Sequence, residues 1–168
     1  SNGISGISIS GIFTAAVLFT CISFFCSLNI LVEFLVVFLG LGSFFYNKLY
    51  LATWNFFKYN SSSNFLLFLP VIIAGSFLPF ILDHFGYYIP TIQWIAEFGL
   101  VNGIANLDLL LGQMSVWHIF QAGFSNFSDP YLRMNTVILL IYILYVIENK
   151  KWIHLLFVPF LLLFSQSP

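Results

Sequence analysis

Glu33 is the one formal charge between Ile4 and Tyr46, and it is the residue whose setting could do most chemistry. An ionisable group near the middle of an apolar helix costs roughly 2.5 kcal/mol or more to hold in a bilayer, so it must face protein or water. A carboxyl held there is a candidate proton carrier. The simpler readings are a protonated or paired glutamate at a subunit contact, or one lifted to an interface if the turn Ser27-Leu28-Asn29 sits at the membrane surface. Asp108 is the second candidate, expected with Asn106 and Asn102 on one helical face and Gln113 beside them. Interhelical hydrogen bonding accounts for such a patch without any reaction; a meeting of Asp108 with Glu33 would instead make a proton-relay pair. His84, His118 and His154 raise the question of a b-type haem, whose iron needs two imidazoles at matched depth. Only His118 falls near the middle of its expected helix. A bis-histidine site inside this chain is therefore not expected, and His118 either pairs with another subunit's histidine or is hydrogen-bonded in a packed interior. The chain has no Gly-rich phosphate loop, HExxH, CxxC or nucleophile elbow. Substrate turnover by this chain alone is not expected.

The elements that must position these groups follow from hydropathy. About 20 apolar residues cross a hydrocarbon core about 30 Å thick once. The 43 residues from Ile4 to Tyr46 predict two helices, about Ile7 to Phe25 and Ile30 to Phe45, or one long tilted helix. From Asn47 to Asn64 the chain is its most polar, with LYLATWNFF mixing aromatic and polar residues as interfacial segments do. A crossing at Phe65 to Leu82 carries Pro70 and Pro79, which predict a kink or local unwinding. An interfacial helix is expected over Thr91 to Leu100, then a span from about Gly103 to Phe124, with a re-entrant pair as the alternative. After the loop Ser125 to Asn135 comes a clean span at Thr136 to Ile147, and Glu148-Asn149-Lys150-Lys151 turns the chain. The last apolar piece, Trp152 to Phe164, is too short to cross and should pack on a neighbour or lie obliquely. Runs such as FLLFLPVII do not alternate, which excludes barrel strands, and no internal repeat is visible.

Composition bounds the function classes. The chain is 60% hydrophobic and 7% charged, where soluble domains carry about 25% charged residues. Net charge of −1 with five scattered basic residues leaves no footprint for nucleic acid and no polybasic patch. Cys21 and Cys26, five apart in one apolar stretch, read as small buried hydrophobes too far apart for a bridge. The Gly- and Ser-rich start lacks the basic region of a secretory signal. Phe outnumbers Ala by 22 to 7. Helix packing in lipid does not demand that ratio, because small residues serve close approach better; T-rich Phe codons against GC-rich Ala codons point to an AT-rich organellar genome.

Two stretches carry a family resemblance. VEFLVVFLGLG over 32–42 and NLDLLLG from Asn106 to Gly112 resemble the third and last helices of subunit 6 of mitochondrial NADH dehydrogenase. Length and span count are similar, while that family's Tyr-Val-Gly-Ala-Ile signature is absent. The resemblance implies a proton or quinone module with Glu33 and Asp108 as its active carboxyls. A second pattern starts at His118: Asp129 stands eleven residues on, with Tyr131 close behind, which resembles the membrane anchors of succinate dehydrogenase. That resemblance implies His118 near haem b, and Asp129, Tyr131 and Arg133 near quinone; Pro130 and the extra N-terminal spans depart from it.

Together these readings predict an all-α, polytopic transmembrane protein of four to five spans plus a short C-terminal apolar helix, with residues 1–168 as one integral-membrane domain. The expected setting is the mitochondrial inner membrane, in a respiratory complex. The expected partners are other membrane subunits and lipids. No cofactor is expected within the chain, beyond quinone or haem b shared with partners, and no metal. A non-catalytic structural subunit of a respiratory or ATP synthase assembly is the third alternative.

Overall fold

The computed structural model describes residues 3–60, 62–77, 83–106, 108–109, 111–127 and 134–164. Among them there is no strand, and the all-α expectation holds. The first 46 residues form two helices: α1, Ile4–Ser23, and α2, Ile30–Tyr46. Asn29 ends the ambiguity between one helix and two. Its side-chain oxygen accepts the backbone N–H groups of Leu31 and Val32, at 3.1 and 3.2 Å, which is an N-cap that starts a helix afresh. At Asn47 and Lys48 the chain bends by 70° into α3, Leu49–Tyr59, with Lys48 in left-handed geometry at φ 53°.

Proline shapes two later helices in the same way. A 3-10 turn, Ser62–Leu67, leads into α4, Phe68–Ser76, with Pro70 in its first turn. A 3-10 turn, Trp152–Phe157, leads into α8, Val158–Phe164, with Pro159 at the second helical position. A proline lacks the N–H and crowds the carbonyl four residues back, so it belongs in a first turn and the turn before it tightens. The segments share the pattern Leu-Leu-Phe-x-Pro, at 66–70 and 155–159.

Between these pieces lie a π-helical turn, His84–Tyr88, running into α5, Ile89–Phe98, then a 3-10 turn, Ile104–Asn106, then α6, Val116–Gly123, and α7, Met134–Asn149. The expected span from Gly103 to Phe124 is corrected: among its described residues only Val116–Gly123 are α-helical. Gly103 takes φ +84°, and Ser115 is extended, so the helix restarts late. Four to five spans were expected; among the described residues, helix length and hydropathy single out one or two. One helix, α1, is long and apolar enough to cross a membrane, and α2 with α3 makes a second candidate if the bent pair counts as one. Helices α7 and α4 and the C-terminal segment are apolar but shorter.

The described residues pack as two compact units, 3–11 with 40–77 and 134–164, and 12–39 with 83–127. In the first, α7 presents Leu139, Ile143 and Ile147, spaced by four, to Val71 of α4 and to Val158, Leu161 and Leu162 of α8. Of the two arrangements its length allows, the C-terminal segment thus takes packing on its neighbour, through Val158, Leu161 and Leu162. In the second, Phe19, Leu28, Ile92, Ile95 and Ala122 are fully or almost fully buried. Gly123 lies against Phe19 so closely that a Cβ would come within 2.4 Å of the ring. Gly99, at φ +70°, lets the chain leave α5 across the end of α1; a Cβ there would stand 2.7 Å from the Ser23 carbonyl oxygen. The next residue, Leu100, donates its N–H to that same carbonyl at 2.8 Å.

Candidate functional site

Glu33 is buried, 3% exposed, but not at mid-span. It stands in the first turn of α2, where the helix dipole favours a carboxylate. Its Oε2 accepts the backbone N–H of Asn126 at 3.0 Å, and the Asn126 side-chain amide donates to the Leu28 carbonyl oxygen at 2.8 Å. The turn after α6 is thereby fastened at two points to the start of α2. Phe34 and Phe127 pack edge to face beside it, with centroids 4.3 Å apart.

Asp108 is not on a helix with Asn106 and Asn102. Asn106 ends a 3-10 turn and Asp108 lies exposed in the irregular segment that follows, its N–H donating to the Ile104 carbonyl oxygen at 3.0 Å. Glu33 and Asp108 therefore occupy different environments, one closed and one open.

His118 is buried and completes a reciprocal cap at the start of α6. Ser115 Oγ accepts the His118 N–H at 3.2 Å, and the Ser115 N–H donates to His118 Nδ1 at 3.3 Å. The rings of Tyr87 and Tyr88 flank the imidazole, with centroids at 5.6 and 5.4 Å, and the Tyr87 hydroxyl donates to the Gln113 carbonyl oxygen at 2.6 Å. Burial pushes the His118 pKa below its ordinary value, and burial with the neighbouring Tyr88 raises that of Tyr87. Both effects keep this cluster neutral. A haem-ligating histidine turns Nε2 to the iron and donates its Nδ1 proton outward. Here Nδ1 faces an N–H donor, so these residues do not fit an axial ligand. Asp129, Tyr131 and Arg133, the companions of His118 in the quinone reading, lie outside the described residues. Cys21 and Cys26 are exposed rather than buried.

A third polar site was missed by sequence reasoning. The Glu148 carboxylate accepts hydrogen bonds from the N–H groups of Ile4 and Ser5 and from the Ser5 hydroxyl, the Ser5 N–H at 3.1 Å. It closes the N-terminus of α1 from 143 residues away, taking orphan donors that every helix start exposes. Beside it opens a cavity of about 680 Å³, lined by Gly3, Ser5, Gly6, Asn60, Tyr145 and Asn149 among others. Glu148 read as part of a turn because two lysines follow it. The available signal was the uncapped, Ser- and Gly-rich start of α1, which needs an acceptor from elsewhere.

The fold and these sites define a class: an all-helical, apolar chain in which a buried carboxylate, Glu33, and a half-buried one, Glu148, fasten helix starts to distant segments. The whole chain, residues 1–168, matches the family model described as domain of unknown function DUF8201, and the protein belongs to that family. No curated protein and no solved structure matches it.

Proposed function

We propose that this protein is a structural integral-membrane subunit of a multi-subunit assembly, set in the mitochondrial inner membrane among respiratory-chain proteins. In this reading α1 and α2 cross the bilayer, and α7, 16 residues and about 24 Å long, spans most of the hydrocarbon. The short proline-led helices α4 and α8 enter beside α7 and complete a polytopic fold. The observation that carries the reading is the outward face of α1 and α2, where Phe13, Leu31, Phe34, Phe38 and Phe45 are all more than half exposed. Water does not tolerate an apolar face of that extent, whereas lipid and partner helices do. Gly11, Gly40 and Gly42 add open positions where a neighbouring backbone can come close. The Phe-for-Ala bias supports the organellar setting.

Purification of the native assembly in mild detergent, with subunits identified by mass spectrometry, tests this reading. Co-migration with other respiratory membrane subunits is expected; recovery of the chain alone from a membrane extract that keeps those complexes intact would refute it.

A second reading, a proton or quinone module of the complex I kind, draws on the burial of Glu33 in an otherwise apolar helix. The two differ in what Glu33→Gln does. Gln keeps an acceptor for the Asn126 N–H, so the structural reading expects intact assembly and unchanged proton pumping, while the proton-path reading expects pumping to fall.

A further inference from the structure

Helix α3 has one face turned to the protein and one turned away. Leu49, Thr53, Phe56 and Asn60, spaced by four, three and four, are half-buried, and Phe56 packs against the α4–α7 core. The opposite face carries Tyr50, Leu51, Trp54, Phe57 and Lys58, all exposed, with Trp54 at 71%. Lys48 and Lys58 bracket the helix, and no acidic residue occurs between Glu33 and Asp83. The 70° bend at Asn47 and Lys48 sets α3 steeply across the direction of α2.

We propose that α3 lies along the headgroup layer of the membrane and binds anionic phospholipid through Lys48 and Lys58. This rests on α2 being a membrane-crossing helix, as argued above. A helix bent 70° away from a crossing helix runs close to the membrane plane. Its ring-bearing face is the chemistry of an interfacial belt, where Trp and Tyr sit between hydrocarbon and water. Its positive ends, set in a stretch of chain with no acidic residue from 34 to 82, complement phosphate-bearing lipids whose surface potential attracts nearby lysines. The occupant is thus a lipid surface, because the face combines wet-tipped aromatics with lysines and lacks the continuous aliphatic stripe that a partner helix would need.

The test uses the full chain with Cys21→Ser and Cys26→Ser, reconstituted in nanodiscs of phosphatidylcholine with or without 30% phosphatidylglycerol. A nitroxide is placed at position 54 or, as a reporter of insertion, at position 13 on α1. Accessibility to oxygen and to a polar nickel chelate gives depth. The expected result is a label at 13 deep in hydrocarbon and a label at 54 at headgroup depth, less mobile when phosphatidylglycerol is present. K48Q/K58Q, at two exposed positions, should remove that lipid dependence, and K58Q alone should weaken it. A label at 54 as open to the nickel chelate as in bulk water, or indifferent to phosphatidylglycerol, would overturn the proposal if the label at 13 is lipid-buried. A water-exposed label at 13 would instead refute the membrane reading beneath it, and the proposal with it.

Discussion

At the scale of single residues, the ionisable side chains of Glu33, His118 and the half-buried Glu148 act as fasteners. Glu148 takes three donors at the start of α1, and hydrogen bonds to a charged group contribute roughly 1.5–3 kcal/mol each in favourable cases. Glu148→Ala should lower the thermal midpoint in detergent clearly, and Glu148→Gln should lower it less, since one acceptor oxygen survives. Equal midpoints for wild type and the Ala variant would remove this role. Asn126→Ala keeps its backbone bond to Glu33 and loses only the amide bond to Leu28, so a loss of about 1 kcal/mol is expected. His118 predicts a pH dependence. Its folded-state pKa is lowered by burial, so the unfolded chain takes up the proton first as pH falls. The stability it contributes is complete above about pH 6.5, the ordinary histidine value, and is lost as pH falls below it. His118→Gln preserves a capping side chain at the third helical position and cannot titrate. Melts between pH 7.5 and 5 should show a shallower acid slope for that variant, and an unchanged slope would exclude His118 as the source.

Helices and turns show where sequence reasoning reached and where it stopped. Helices α1, α2, α5 and α7 lie within a few residues of their expected bounds, because long apolar runs closed by polar breaks leave the backbone little choice in either lipid or protein. The tightened turn before Pro70 was legible as local unwinding, since a proline's missing donor is a local fact. The segment from Gly99 to Ser115 was not legible. Its leucines suggested a span, but Gly99 and Gly103 take positive φ and Ser115 caps a new helix, choices that depend on the chain having to cross the end of α1. Of the candidate site, the burial of Glu33 was foreseen, while its partner Asn126, 93 residues away, was not, because nothing local to either residue encodes that pairing. Gly123→Ala tests the packing of α1 on α6. A methyl group driven into the Phe19 ring should destabilise by about 1–3 kcal/mol, and denaturant unfolding in detergent with no change in midpoint would show that the ring yields freely.

The molecule as a whole presents a surface that water does not suit. Hydrophobic residues make up 60% of the chain, and much of that surface stays outward in both compact units, on α1 and α2 above all. A soluble domain would fold such faces inward, since burial contributes about 25 cal/mol for each square ångström of apolar area. The fold leaves them out, and the carboxylates of Glu33 and Glu148 join helix starts to distant segments, an arrangement that supports the membrane-subunit reading proposed above. The most direct measurement is alkaline carbonate extraction of membranes from cells expressing the chain, followed by sedimentation. The account predicts that the protein stays in the membrane pellet and enters solution only with detergent. Release into the alkaline supernatant as a monodisperse species without detergent would contradict it.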